Sequence, residues 1–210
     1  MPLFIKNKLF FIHIPKCGGD TITYALSKSG DKPFLFVNDG SVILNGHTPQ
    51  HTPYREILQM GWLATNGFRV AALVRHPVER VLSAFRYIHF FRKDLLPYAI
   101  NTEQFLNNFL SHKSESKIIF DNHNMGLLDF LVNDNGAIDP NIYIRPLDEV
   151  DLWLSDLSLC EIPFNQRRNV TANLSASLPT FTQKNIDRIR EFYHKDILWF
   201  ENNFVSKKDS

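Results

Sequence analysis

The chain has 210 residues, a length that suits one domain, and its 44% hydrophobic and 13% aromatic content excludes a disordered or low-complexity protein. The 23 basic and 22 acidic side chains leave a formal charge of +1, which argues against a surface given over as a whole to nucleic acid or anionic lipid. No apolar run approaches the roughly 18 residues of a membrane span, and two cysteines, Cys17 and Cys160, make no disulfide framework.

The apolar stretch from Leu9 to Ile14 is too short for a secretory leader, and Pro15-Lys16 follow it where small residues should lead to cleavage. A soluble protein of a reducing, cytoplasmic compartment is therefore expected. Residues 8–14 (KLFFIHI), a nearly continuous apolar run ended by Pro15, read as a strand buried on both faces of a parallel sheet. A turn over 15–20 with paired glycines follows, then a helix over 21–28 with Ile22, Ala25 and Leu26 on one face. Short strands are predicted at 32–37 and 42–44, loop at 46–53, where two prolines forbid a helix, and a helix at 54–60.

Residues 68–74 (FRVAALV) are the second buried-strand candidate. Pro77 suits the first turn of a helix over 78–91, whose apolar residues fall at 78, 81, 82, 85 and 88. Further helices are predicted at 102–112, 126–131, 148–157 and 183–204, a short strand at 141–144, and a fraying polar tail at 205–210. Strands alternating with helices predict an α/β fold with a mostly parallel central sheet flanked by helices, and ligands at the C-terminal ends of its strands.

The turn after the first strand carries the chemistry of anion binding. Backbone N–H groups of a glycine-rich turn converge on one point, and the following helix adds its positive end. Gly18 and Gly19 permit a close backbone approach, Lys16 places a charge at the mouth and Thr21 a hydroxyl. The Walker A pattern needs its lysine after the glycines, whereas Lys16 precedes them. A cysteine phosphatase would need arginine about six residues past Cys17, where Thr23 stands. A second cluster runs from Arg69 to Lys93, with Arg69, Arg75, Arg80, Arg86, Arg92 and Lys93 against the one acid Glu79. Arg86, Arg92 and Lys93 read as a solvated helix face. Arg75 ends a buried strand, where a guanidinium can fork onto phosphate, and Ser83 can add a hydroxyl. Two anion sites at two strand ends suggest a nucleotide phosphorylated in two places.

In that order the two segments resemble a known family. IPKCGGDT is similar to the 5′-phosphosulfate loop of PAPS-dependent sulfotransferases, and RHPVERVLSAFRY to their 3′-phosphate motif. The form looks most like the carbohydrate sulfotransferases of the heparan sulfate 2-O-sulfotransferase and sulfotransferase family 2 kind. The likeness is clearest over residues 8–93. It continues weakly through 122–131, 142–150 and the last helix with Tyr193 and Asp196.

The resemblance implies a three-layer P-loop-like fold, one sulfotransferase domain over 1–204, and PAPS as co-substrate without a metal. It gives Lys16 the bridging and sulfuryl oxygens, Cys17, Gly18, Gly19, Asp20 and Thr21 the 5′-phosphate, and Arg75 with Ser83 the 3′-phosphate. A late closing loop would fall near Arg167, Arg168 and Asn169. Asp20 departs from the family's usual threonine or serine, and its expected role is to cap the helix that follows. The acceptor implied is a hydroxyl, on a carbohydrate; no nucleic-acid partner is expected. Eukaryotic relatives are usually Golgi-anchored, so the Golgi lumen is the alternative location if the chain is a piece of a longer protein.

Transfer to an alcohol needs a base for the hydroxyl proton, and histidine suits that task. His47 and His51 lie in the loop between the two anion motifs, and family members often carry a Gly-His pair there, as Gly46-His47 does. His47 is assigned as base with His51 in reserve. Metal binding by the same pair would need a helix that Pro49 and Pro53 oppose, and a third ligand. His13 and His89 read as structural, His76 lies at the site rim, and Asn122 and His123 form a polar loop within reach of an acceptor. Two other readings fit less well: a nucleotide-dependent phosphotransferase, which would need a Mg²⁺ site, and a non-catalytic nucleotide- or carbohydrate-binding module.

Overall fold

The computed structural model describes residues 2–34, 43, 45–61, 67–159 and 178–206. By its contacts the chain divides into two compact units, Met1–Val74 with Leu127–Arg168, and Arg75–Gly126 with Asn169–Ser210.

The first unit is α/β. Its four-stranded sheet has the order β1 (Leu3–Phe4), β2 (Leu9–Ile12), β3 (Arg69–Val74) and β4 (Ile142–Pro146). β1 pairs antiparallel with β2; β2, β3 and β4 run parallel, with Ile12 opposite Ala72 and Val74 opposite Pro146. The sheet is thus mostly parallel and flanked by helices, as predicted. Every residue of β2 and the last four of β3 are buried, which is why their sequences are apolar runs and not alternations. Helix α1 (Gly19–Lys28) lays Ile22, Ala25 and Leu26 onto a core of Phe11, Leu73, Trp153 and Leu154. Trp153 comes from α7 (Val150–Asp156) and meets Phe11 edge-on at 5.6 Å. Helices α2 (Tyr54–Gln59) and α6 (Leu127–Leu131) pack together, and Tyr54 donates to Asp139 at 2.8 Å.

The second unit is helical, built from α3 (Pro77–Phe91), α4 (Thr102–Phe109), α5 (Ser114–Ile119), α8 (Gln183–Phe192) and α9 (His194–Phe200). Its core is aromatic: Phe85, Phe105, Phe109 and Phe120 interlock with Ile189 and Tyr193. Phe105 lies 5.1 Å from Phe85 and 4.6 Å from Phe109, in the tilted geometry that aromatic pairs prefer. Asn101 caps α4 by accepting from the Gln104 amide, and Thr182 with Asn185 forms a capping box on α8.

Several boundaries differ from expectation. Helix α1 begins at Gly19, two residues early, because Gly18 takes a left-handed φ of 83° and turns the chain directly into it. The strand predicted at 141–144 covers Ile142–Pro146; among the described residues β4 is an edge strand, where a residue without an N–H is tolerated. The long helix predicted at 183–204 breaks at Tyr193 and closes in a wider π turn over Glu201–Val205. The break sets the Tyr193 hydroxyl on the Asn124 carbonyl at 2.6 Å. Val205, expected to open a frayed tail, still belongs to that turn. Of the short strands predicted at 32–37 and 42–44, Phe34 makes a single antiparallel bridge to Leu3, while 35–42 and 44 lie outside the described residues.

Candidate active site

Strands β2 and β3 are parallel neighbours, so their C-terminal residues, Ile12 and Val74, lie at the same end of the sheet. The segment from Pro15 onward is a tight turn. Cys17 donates its amide to the Ile14 carbonyl at 3.2 Å and is buried. Lys16, half-buried, holds a φ of 67°, a left-handed conformation that costs a non-glycine residue energy. Such strain persists where surrounding structure over-determines it, and it concentrates at functional sites. Gly18 precedes α1, and a helix leaves its first amides without an internal acceptor, directed out of its N-terminus. A glycine turn leading straight into a helix N-terminus is the local geometry that the glycine pair predicts.

The two glycines are needed for different reasons. At Gly18 the positive φ alone favours glycine. Gly19 is helical, and there the obstacle is a neighbour: an added Cβ would fall 2.0 Å from the His13 ring. Asp20 is the second residue of α1 and not its cap, which corrects the expected role; the helix starts earlier than Thr21, so the capping position passes to Gly18. The Asp20 carboxylate lies 3.8 Å from His13 Nε2.

The loop expected to hold the base is buried. His47, Thr48, Gln50, His51 and Thr52 all have little solvent access, and Pro49–His51 forms one short 3₁₀ turn. His47 Nδ1 lies 3.0 Å from the Thr48 carbonyl and Nε2 lies 3.3 Å from Glu56 Oε2. Both neighbours are acceptors, so the ring satisfies both when it carries two protons. Burial pushes the Glu56 carboxyl up, but hydrogen bonds from His47 and from Asn45, the latter at 2.8 Å, bring it below the usual range. His51 Nδ1 lies 3.5 Å from Thr48 Oγ1, and its ring stands edge-on to His13 with 5.0 Å between centroids. His13 is buried just past the end of β2, not within it. Burial, followed by the neighbouring His51, drives its pKa far down, with Asp20 opposing.

In the helical unit, Arg75 donates Nε to Glu79 at 3.1 Å. Ser83, buried on α3, stands one turn beyond Glu79, on the same side of the helix. His76 caps α3 and meets Phe200 edge-on at 5.6 Å. Arg80, which the sequence places in a basic cluster, is buried. It donates to the carbonyls of His123, at 3.2 Å, and Met125, and lies over the Tyr193 ring. Asp121 and Asn122, at the start of the segment it grips, both take positive φ. Arg168, with Arg167 and Asn169, lies outside the described residues, as does Cys160.

Sequence reasoning missed Glu56 as the partner of His47. Eight residues of intervening chain hide that pairing, and only the fold of α2 against the loop brings the two together. It also missed the contact of His13 with Gly19; a histidine inside an apolar strand run was its one available signal.

A family model described as "Sulfotransferase family" matches residues 4–135. No curated protein and no solved structure matches the chain. Among the described residues no helix is long and apolar enough to cross a membrane.

Proposed function

Because the chain belongs to the sulfotransferase family, we propose that it transfers a sulfuryl group from PAPS to a hydroxyl of a carbohydrate acceptor, on a three-layer P-loop-like domain spanning 1–204. What most supports this is the strained Lys16 at the mouth of the glycine turn that leads from β2 into α1.

In this reading the backbone and side chains of the turn from Cys17 to Thr21 hold the 5′-phosphate, the Cys17 and Thr21 amides themselves being bonded to the Ile14 and Gly18 carbonyls. Lys16 neutralises charge that builds on the bridging oxygen as its bond to sulfur breaks. Preorganised donors of this kind are expected to supply the largest share of the rate. Arg75 offers its Nη nitrogens to the 3′-phosphate, since Glu79 takes Nε, and Ser83 adds a hydroxyl. Arg168 would close over that end of the nucleotide.

His47 takes the acceptor's proton as its oxygen attacks sulfur. The imidazolium so formed keeps its Nδ1 hydrogen bond to the Thr48 carbonyl, and the Glu56 carboxylate near Nε2 offsets its charge. At 3.3 Å the Nε2 contact is longer than a strong charge-assisted bond, so it is the one that yields to an incoming hydroxyl. His51 is the reserve base in the same loop. The test is labelled-sulfate transfer from PAPS across a panel of glycans and small alcohols, in wild type and His47→Ala. Transfer to a glycan, lost in the variant, is expected; full activity without His47 would remove the base assignment.

A further inference from the structure

His13 touches both halves of the first unit's site. On one side its ring fills the space that a Cβ on Gly19 would need, with Cδ2 2.0 Å and Nε2 2.1 Å from that position. Real Cβ atoms do not approach so closely, and Gly19 lies in ordinary helical backbone, so the ring alone demands glycine there. On the other side the ring meets His51 edge-on at 5.0 Å, inside the buried loop that also carries His47. Phe11 supports it from within the sheet at 6.0 Å.

We propose that His13 is a positioning residue: its imidazole is a rigid wedge between Gly19 and His51 that sets the spacing of the phosphate turn from the loop of the candidate bases. The kinetic consequence rests on the sulfotransferase reading; the wedge itself does not. A five-membered ring with one preferred plane holds such a spacing better than a flexible chain. It also stays uncharged, because burial and then the charges of His51 and Lys16 oppose its protonation more than Asp20 favours it. A neutral wedge keeps the field at Lys16 constant. Displacements on the order of 1 Å in reacting groups can cost about a hundredfold in rate, so a small residue at 13 should act on turnover more than on donor binding.

The experiment is a double-mutant cycle on Gly19→Ala and His13→Ala, read by thermal unfolding, by hydrogen exchange of loop 45–52 and by kinetics. Gly19→Ala should lower Tm by about 5 °C in wild type and by less than about 1 °C once His13 is alanine, because the clash is gone. In His13→Ala the amides of 45–52 should exchange roughly tenfold faster while those of α7 do not change. Its kcat should fall about tenfold or more with KM for PAPS within roughly threefold of wild type. Equal Tm costs of Gly19→Ala in both backgrounds would overturn the wedge, and unchanged exchange in the loop would overturn its positioning role. Should His13→Ala not fold, His13→Asn enters the same cycle. A wild type that transfers nothing from PAPS would sink the donor reading, and the unfolding and exchange results would still decide the wedge.

Discussion

At the residue scale the proposed reaction rests mostly on Lys16 and His47. Removing one preorganised charge from the leaving oxygen typically costs about 10²- to 10³-fold in kcat, so Lys16→Ala should lose that much turnover while unfolding at nearly the same temperature. Glu56→Gln keeps the shape of the side chain and removes the charge beside His47 Nε2; kcat should fall roughly tenfold with PAP affinity unchanged, as steady-state kinetics and calorimetry would show. His13 gives a pH signature. Its native pKa, about 3, lies below the ordinary 6.5, so the unfolded chain binds a proton that the native ring refuses. Stability from this group is complete above about pH 6.5 and declines as pH falls toward 3. Wild type should therefore lose more of its Tm between pH 7 and 4.5 than His13→Asn does; parallel curves would contradict the assignment.

Among the elements, α3 and the segment it grips make the clearest case. Arg80 is a buried charge whose partners are the carbonyls of His123 and Met125, so Arg80→Ala strands both acceptors and should destabilise the fold by about 2–4 kcal/mol in denaturant titration. An effect below about 0.5 kcal/mol would show that these bonds are incidental. The sequence could not announce this residue, since an arginine on an amphipathic helix reads as solvated. β2 and β3 were legible because each is a continuous apolar run cut by proline soon after its end. β1, two residues long, has no period to read and exists by pairing with β2. The break at Tyr193 was hidden for the opposite reason: apolar residues at 186, 189, 193 and 197 keep a helical period across it, and a tertiary bond to Asn124 sets the turn. In the site, the glycine turn was readable from spacing alone. The burial of His47 and its contact with Glu56 were not, because a loop rich in proline and threonine looks exposed until α2 folds against it.

For the whole molecule, family membership supports sulfotransfer as the class of reaction, and the proposed donor rests on the two anion motifs. A ligand that binds only the native state raises Tm in proportion to the logarithm of its concentration over Kd, so PAP should stabilise the protein by several degrees where ATP·Mg does not. The most direct test of the donor assignment is calorimetric titration with PAP and with AMP, which differs by lacking the 3′-phosphate. PAP should bind about tenfold to a hundredfold more tightly, and Arg75→Ala should remove most of that difference, as expected for one charge-assisted phosphate contact. Equal affinities for PAP and AMP in wild type would contradict the account.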